Sequence, residues 1–77
     1  MEISTPDLMI HVDETLALDD MRRLEDQLRA DAGVISACTC DHDPHLLMVT
    51  YNADSTSSHN LLGLVKQTGV HAELIGL

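Results

Sequence analysis

Apolar and polar residues alternate over positions 7–13, the first regular pattern in the chain. Leu8, Ile10 and Val12 fall on one face of an extended segment, and the residues between them fall on the other. Because successive side chains of a strand point to opposite faces, this alternation predicts a half-buried β-strand. Residues 1–6 lack the pattern and are expected to be frayed.

A helical period replaces the alternation over residues 17–31. Met21, Leu24 and Leu28 recur at positions i, i+3 and i+7, which places them on one side of a helix. Gly33 follows this segment. It is expected to close the helix in the left-handed conformation, where a Cβ atom would be unfavourable.

A β-hairpin with its loop at residues 41–45 is the strongest local signal in the sequence. With a loop of that length, Cys38 lies opposite Met48 and Cys40 lies opposite Leu46. Directly opposed residues of two paired strands share a face of the sheet. Both thiols and the Met48 thioether are therefore expected on the same face.

Ser57 is predicted to cap a second helix, which Gly69 ends. The element order β-α-β-β-α-β is the ferredoxin-like motif, so we predict a single α+β domain over residues 1–77. Two helices should cover one face of a four-stranded antiparallel sheet of order 4-1-3-2, with the first and third strands central and parallel to each other. The predicted strands are 7–13, 34–40, 46–52 and 70–75, and the predicted helices are 17–31 and 57–68.

Charge and composition restrict the class of function. A net charge of −9, with one tyrosine and no phenylalanine or tryptophan, disfavours binding to nucleic acid or to an anionic membrane. The sequence shows neither a membrane-spanning run nor a signal peptide, so we expect a cytoplasmic protein, in which the thiols are free or metal-bound. It also shows no arginine-centred phosphate loop and no nucleophile paired with a base, so no enzymatic activity is expected.

The whole pattern resembles one known family. The matching residues are Leu8, Ile10 and Val12 in the first strand, Leu24 and Leu28 before Gly33-Val34, Leu47, Val49 and Tyr51-Asn52 in the third strand, and Thr68-Gly69-Val70 after the second helix. In this order and spacing they are similar to the heavy-metal-associated domains, the fold of small copper chaperones and of the mercury-scavenging protein. The resemblance covers nearly the whole chain and implies a soft-metal-binding module.

The chain departs from that family at its metal motif. The resemblance implies a pair of cysteines, spaced C-x-x-C, in the loop before the first helix. Counting back from Gly33 places Ala17 and Asp20 at those two positions. Neither side chain supplies a thiolate, so the family's metal site is not expected here.

A second set of ligands follows in the hairpin, as Cys38-x-Cys40-x-His42-x-x-His45. Two thiolates and two imidazoles suit Zn(II), whereas two thiolates with Met48 suit Cu(I). The alternative is that both cysteines are small apolar strand residues and both histidines are solvated loop residues.

Two hypotheses for function follow from these observations. In the first, the chain is a metal-handling module whose thiols have moved to the second strand. In the second, it is an interaction or oligomerisation module without a metal, which binds another protein or a second copy through the open sheet face or the edge strand. His11 is expected on that open face beside the strand that carries Met48, either as a solvent-facing residue or as a fifth ligand.

Overall fold

A computed structural model of the chain describes residues 5–75. Within them, two helices pack on one face of a four-stranded sheet, the predicted ferredoxin-like arrangement. The elements in chain order are β1 (Asp7–Val12), α1 (Leu18–Arg29), β2 (Val34–Cys40), β3 (Asp43–Tyr51), α2 (Ser58–Lys66) and β4 (Ala72–Ile75). None of the helices in this part of the chain is long and apolar enough to cross a bilayer.

The strand order β2-β3-β1-β4 confirms the predicted order, but one predicted strand direction is wrong. β1 and β3 are central and antiparallel, not parallel. The reason is the connectivity: α1 returns the chain so that β2 runs in the direction of β1, and the hairpin then reverses β3. All three strand pairs are consequently antiparallel.

The hydrophobic core lies between the sheet and the two helices. Alternating residues of β1, β2 and β3 and one side of each helix supply it, as the two periodicities predict. The buried apolar residues are Leu8, Ile10, Val12, Met21, Leu24, Leu28, Ala37, Leu47, Val49, Leu61 and Val65. Because the helices cover one face of the sheet only, the other face remains open.

The hairpin joining β2 and β3 has a shorter connection than predicted. Cys38 pairs with Met48 as expected, but β3 already begins at Asp43, and Cys40 pairs with Asp43, not with Leu46. An irregularity between Thr39 and Cys40 absorbs the difference in register. Such bulges re-aim a side chain locally, so Cys40 does not simply continue the row that Cys38 begins.

The two helix-terminal glycines have different roles. Gly69 adopts a positive φ of 95° after α2, as predicted. Gly33 is not in the left-handed region, and that prediction is wrong; a Cβ there would lie 2.7 Å from Thr56 Cγ2. Gly33 is therefore required by the close approach of the turn before α2. The predicted cap of α2 is confirmed, since the Asn60 amide donates to Ser57 Oγ.

The predicted frayed segment 1–6 falls partly outside the described residues, which begin at residue 5. The carbonyl of Pro6 accepts a hydrogen bond from the Tyr51 amide, with an N···O distance of 3.2 Å. Pro6 is thus attached to the end of β3, and the fraying of the segment stays a prediction.

A buried carboxylate fastens the edge strand β2 to α1. Glu25 is 6% exposed, and its Oε2 accepts the Thr39 amide at 2.8 Å and the Thr39 hydroxyl at 2.6 Å. Arg29 donates to Glu25 Oε1 at 3.2 Å and to the carbonyl of Ala37 at 2.8 Å. β2 lies at the sheet edge, so these two side chains satisfy backbone groups that no neighbouring strand can reach.

This environment favours the ionised form of Glu25. Burial alone raises the pKa of a carboxyl, but the hydrogen bonds from Thr39 and the charges of Arg29 and Arg22 outweigh it and lower the pKa of Glu25. A carboxylate whose pKa is lower in the folded than in the unfolded chain stabilises the fold above its unfolded pKa. That stabilisation is lost as the pH falls through the folded pKa.

We expect Glu25→Gln to lower the free energy of unfolding at pH 7 by about 1–3 kcal/mol, because charge-assisted hydrogen bonds to a buried group are lost. The difference from wild type should shrink as the pH falls below about 4.3, the ordinary pKa of a glutamate. Urea unfolding followed by circular dichroism across a pH series measures both effects.

Asp26→Asn is the matched control on the same helix, since exposed Asp26 pairs with Arg29 at 2.9 Å. Its loss should stay below about 1 kcal/mol, as for other exposed ion pairs. Equal losses in the two variants, or a Glu25→Gln deficit that does not change with pH, would contradict this account of β2.

Candidate metal centre

Three sulfur-bearing side chains form a row across the open face of the sheet. Cys38 on β2 pairs with Met48 on β3, and Met48 pairs with Met9 on β1. Met9 and Met48 each stand between two buried strand residues, and Cys38 follows buried Ala37, so each is directed to the open side. Cys38 and Met48 are exposed and Met9 is half-buried. We call Cys38, Met48 and Met9 the sulfur row.

Neighbouring members of the sulfur row lie at the spacing of directly paired strands. Opposed residues of paired strands have Cβ atoms about 4.5–5.5 Å apart, so each sulfur has its neighbour within reach. Methionine has three rotatable side-chain bonds, which lets Met9 and Met48 lean along the row toward Cys38. The row therefore offers one thiol and two thioethers at an open surface.

A second group of ligands lies beside the sulfur row on the same face. The Nδ1 atom of His11 lies 3.1 Å from Asp13 Oδ1 and 3.9 Å from Glu73 Oε1. Within residues 5–75, these are the one set of three or more histidine, cysteine, aspartate and glutamate side chains whose ligand atoms all lie within 4.8 Å of one another. We call His11, Asp13 and Glu73 the histidine–carboxylate group.

The structure only partly brings the four predicted ligands together. Cys38 and Cys40 line one groove of about 440 Å³ between α1 and the edge of β2, and neither His42 nor His45 lines it. His42 is exposed in the two-residue turn. His45 instead directs Nδ1 to the carbonyl of Val12 at 2.8 Å.

His45 and His11 lie together at one end of the sheet. Their rings are stacked, with centroids 5.7 Å apart and planes inclined by 20°. This position associates His45 with the histidine–carboxylate group on β1 and β4. A metal shared by His45 and the two cysteines would require His45 to leave both the Val12 carbonyl and the His11 ring.

Of the residues on the open face, Met9 could be predicted from the sequence in part, and Glu73 could not be predicted. Met9 shares the open face by simple alternation, and the predicted strand order places it beside β3. Its partner Met48 follows only once the register of β1 against β3 is known. Glu73 has no local signal at all, because its proximity to His11 depends on the register of β4 against β1.

The segment aligned with the family's metal loop begins α1. Ala17 is the N-cap residue, and its carbonyl accepts the amides of Asp20 and Met21. Asp20 lies in the first turn, where Arg23 approaches it at 3.5 Å. The backbone here is regular, and the side chains provide no soft ligand.

The chain is similar to solved protein structures, whereas sequence comparison finds no match. No protein-family model matches the chain, and no curated protein sequence shows significant similarity to it. The N-terminal domain of a potential copper-translocating P-type ATPase from Bacillus subtilis, solved in the Cu(I)-loaded state, superposes with a TM-score of 0.82 at 21% identity. The match covers 92% of this chain and 88% of that one. The chain has the fold of the heavy-metal-associated domains.

Two further structures agree with this assignment of the fold. Oxidised MerP from Ralstonia metallidurans superposes with a TM-score of 0.81 at 14% identity, over 92% of this chain and 97% of its own. The yeast copper transporter domain CCC2A, solved in apo and Cu(I)-loaded states, gives 0.81 at 16% identity, over 95% and 97% of the two chains. Similarity at this level of identity establishes the heavy-metal-associated fold, as the sequence pattern predicted.

Introducing two cysteines at the start of α1 should create a soft-metal site. We expect Ala17→Cys/Asp20→Cys, made in a Cys38→Ser/Cys40→Ser background, to bind Cu(I) more tightly than that background. Residues i and i+3 share a helix side, and a helix N-terminus favours thiolates. Thiolate-to-Cu(I) absorption and chelator competition measure the gain.

The control for this gain is Ala17→Cys/Asp19→Cys in the same background. It adds the same two thiols at positions i and i+2, which do not face each other on a helix. If Ala17→Cys/Asp20→Cys folds but binds Cu(I) no better than the control, the alignment of this segment with the family's loop is wrong.

Proposed function

We propose that this protein is a soft-metal-binding module of the heavy-metal-associated fold that holds Cu(I) on the open face of its sheet. The observation that carries the proposal is the register of the sulfur row, in which Cys38, Met48 and Met9 occupy adjacent strands on one face. In this proposal the metal ligands lie on the sheet and not in the loop before α1.

The chemistry of the sulfur row favours Cu(I) over Zn(II). Thiolate and thioether sulfurs are soft ligands that select Cu(I), whereas Zn(II) is bound by cysteine, histidine and carboxylate groups. Two of the three donors in the row are thioethers, which are not usual zinc ligands. The similarity of the fold to two domains solved in Cu(I)-loaded states also supports a role in copper handling.

Cys40 is proposed as an additional thiol for this site. It is half-buried and lies two residues after Cys38 on the same edge strand. The bulge before it shifts it out of the row, so its contribution should be smaller than that of Cys38. His42 and His45 would join the cysteines only in the Zn(II) version of the site, which requires His45 to move away from Val12.

We expect the reduced protein to bind one Cu(I), with Cys38→Ser abolishing most of the binding and Met48→Leu or Met9→Leu weakening it about tenfold, or about 1.4 kcal/mol each. Cys40→Ser should weaken it less than Cys38→Ser. Affinity should also fall with pH, because protons compete for the thiolate. Competition with a chromophoric Cu(I) chelator measures each change.

Met21→Leu is the matched control, because Met21 is a buried core residue of α1 at 3% exposure. It removes a thioether without touching the open face and should leave Cu(I) affinity unchanged. A Met48→Leu variant that binds Cu(I) like wild type would contradict the sulfur row. Large losses in His42→Ala and His45→Ala would favour the Cys38-x-Cys40-x-His42-x-x-His45 site instead.

A second candidate function is protein interaction without a metal, and exposed apolar side chains favour it. Ile35 is 59% exposed at the edge strand and Met48 is 41% exposed on the open face. Pairing of two β2 edges is opposed by the structure, however, because Arg29 and Glu25 already occupy backbone groups of Ala37 and Thr39. An interaction would therefore use the open face more readily than the edge.

We expect wild type to sediment as a monomer at micromolar concentration and Glu25→Ala to associate with increasing concentration, because that substitution frees the amide of Thr39 at the edge of β2. Sedimentation velocity at several concentrations tests both. A wild-type dimer that dissociates in a Met48→Lys variant would instead favour self-association through the open face.

A further inference from the structure

Beside the sulfur row lies a set of ligands of a different chemical class. We infer that the histidine–carboxylate group, His11, Asp13 and Glu73, is a binding site for a divalent first-row transition ion, with Zn(II) as the best fit. Its three ligand atoms lie within 4.8 Å of one another. This inference does not depend on the proposed Cu(I) site, since the two sites share no residue.

The fold itself makes these three residues converge. His11 on the central strand β1 pairs directly with Glu73 on β4, so both side chains leave the same face of the sheet. Asp13 directly follows β1, and its amide is held by the carbonyl of His71 at 2.8 Å. The group therefore combines His11 and Glu73 from two paired strands with Asp13, whose backbone is hydrogen-bonded at the end of β1.

The present contacts show how an ion would be held. Carboxylate oxygens of Asp13 and Glu73 both lie near Nδ1 of His11, at 3.1 Å and 3.9 Å. An ionised carboxylate only accepts hydrogen bonds, so the short contact to Asp13 requires a hydrogen on Nδ1. A cation at this position would replace that hydrogen and gain the lone pair of Nδ1 together with two negative oxygens.

This donor set selects a class of ion. Imidazole nitrogen with carboxylate oxygen suits Zn(II) and its neighbours in the first transition row. Ca(II) and Mg(II) prefer sites made wholly of oxygen, and Cu(I) prefers sulfur. The two carboxylates also balance the charge of a divalent ion, in a chain whose net charge is already −9.

A second imidazole, that of His45, lies beside the group. Nδ1 of His45 faces the carbonyl of Val12 at 2.8 Å, and a carbonyl can only accept, so Nδ1 carries the hydrogen. The lone pair of a neutral His45 is then on Nε2. Fixing one ring nitrogen on a backbone carbonyl is the usual arrangement of a metal-binding histidine. The His45 ring stacks on that of His11.

The test uses Co(II) and Zn(II) with the full chain in a Cys38→Ser/Cys40→Ser background, which removes thiolate ligands. We expect one Co(II) to bind with visible d–d bands and without sulfur charge transfer, and Zn(II) to displace it. His11→Ala, Asp13→Asn and Glu73→Gln should each weaken binding at least about tenfold, since even residues behind the ligands contribute that much. His45→Ala should weaken it less than His11→Ala.

Asp54→Asn is the matched control, because it removes one negative charge from an exposed turn away from this face. It should leave the Co(II) affinity within about twofold of the background protein. Histidine side-chain ¹⁵N shifts on Zn(II) binding should report Nδ1 of His11 as the bound atom.

Three results would overturn the inference. They are the absence of saturable 1:1 binding in the background protein, an equal loss in Asp54→Asn and Glu73→Gln, and unchanged shifts of His11. Failure of the Cu(I) proposal would appear separately, as a Cu(I) affinity of Met48→Leu equal to that of wild type. It would not affect the Co(II) result. Circular dichroism confirms that each variant is folded before it is scored.

Discussion

The attachment of β2 to α1 through Glu25 is the constraint on which the open face depends. β2 is an edge strand with a single strand neighbour, so its pairing with β3 and its attachment to α1 together set the position of Cys38. The Glu25 carboxylate holds Thr39, one residue beyond Cys38, by two hydrogen bonds. A slip of β2 by one residue would turn Cys38 toward the helices and separate it from Met48. The stability of the fold and the geometry of the sulfur row therefore both depend on the buried carboxylate of Glu25.

Sequence reasoning succeeded where local pattern and burial act together. The alternation in β1 and the opposition of Cys38 and Met48 follow from apolar residues that must face one side. It failed at turns, where the backbone can adopt several local conformations of similar energy. The β2–β3 turn closes over two residues with a bulge at Cys40, and Gly33 serves a close contact with Thr56 instead of a left-handed cap.

The candidate sites were predictable to a lesser degree, because they are formed by contacts between distant parts of the chain. The short spacing of the cysteines predicts a site shared with the nearby histidines. In the structure, His45 instead contacts the carbonyl of Val12 on β1. Glu73 reaches His11 across a strand pair whose register only the folded sheet defines. Sequence spacing finds ligands that are neighbours along the chain, whereas a sheet assembles ligands from residues far apart in it.

The exposure of Met48 makes the sulfur row sensitive to oxidants. Thioethers at a protein surface are converted to sulfoxides more readily than buried ones, and a sulfoxide is larger, polar and no longer a soft sulfur donor. Met48 stands between Cys38 and Met9, so its oxidation would interrupt the row at its centre, while buried Met21 stays protected. Enzymatic reduction of the sulfoxide would restore the soft sulfur donor at the centre of the row.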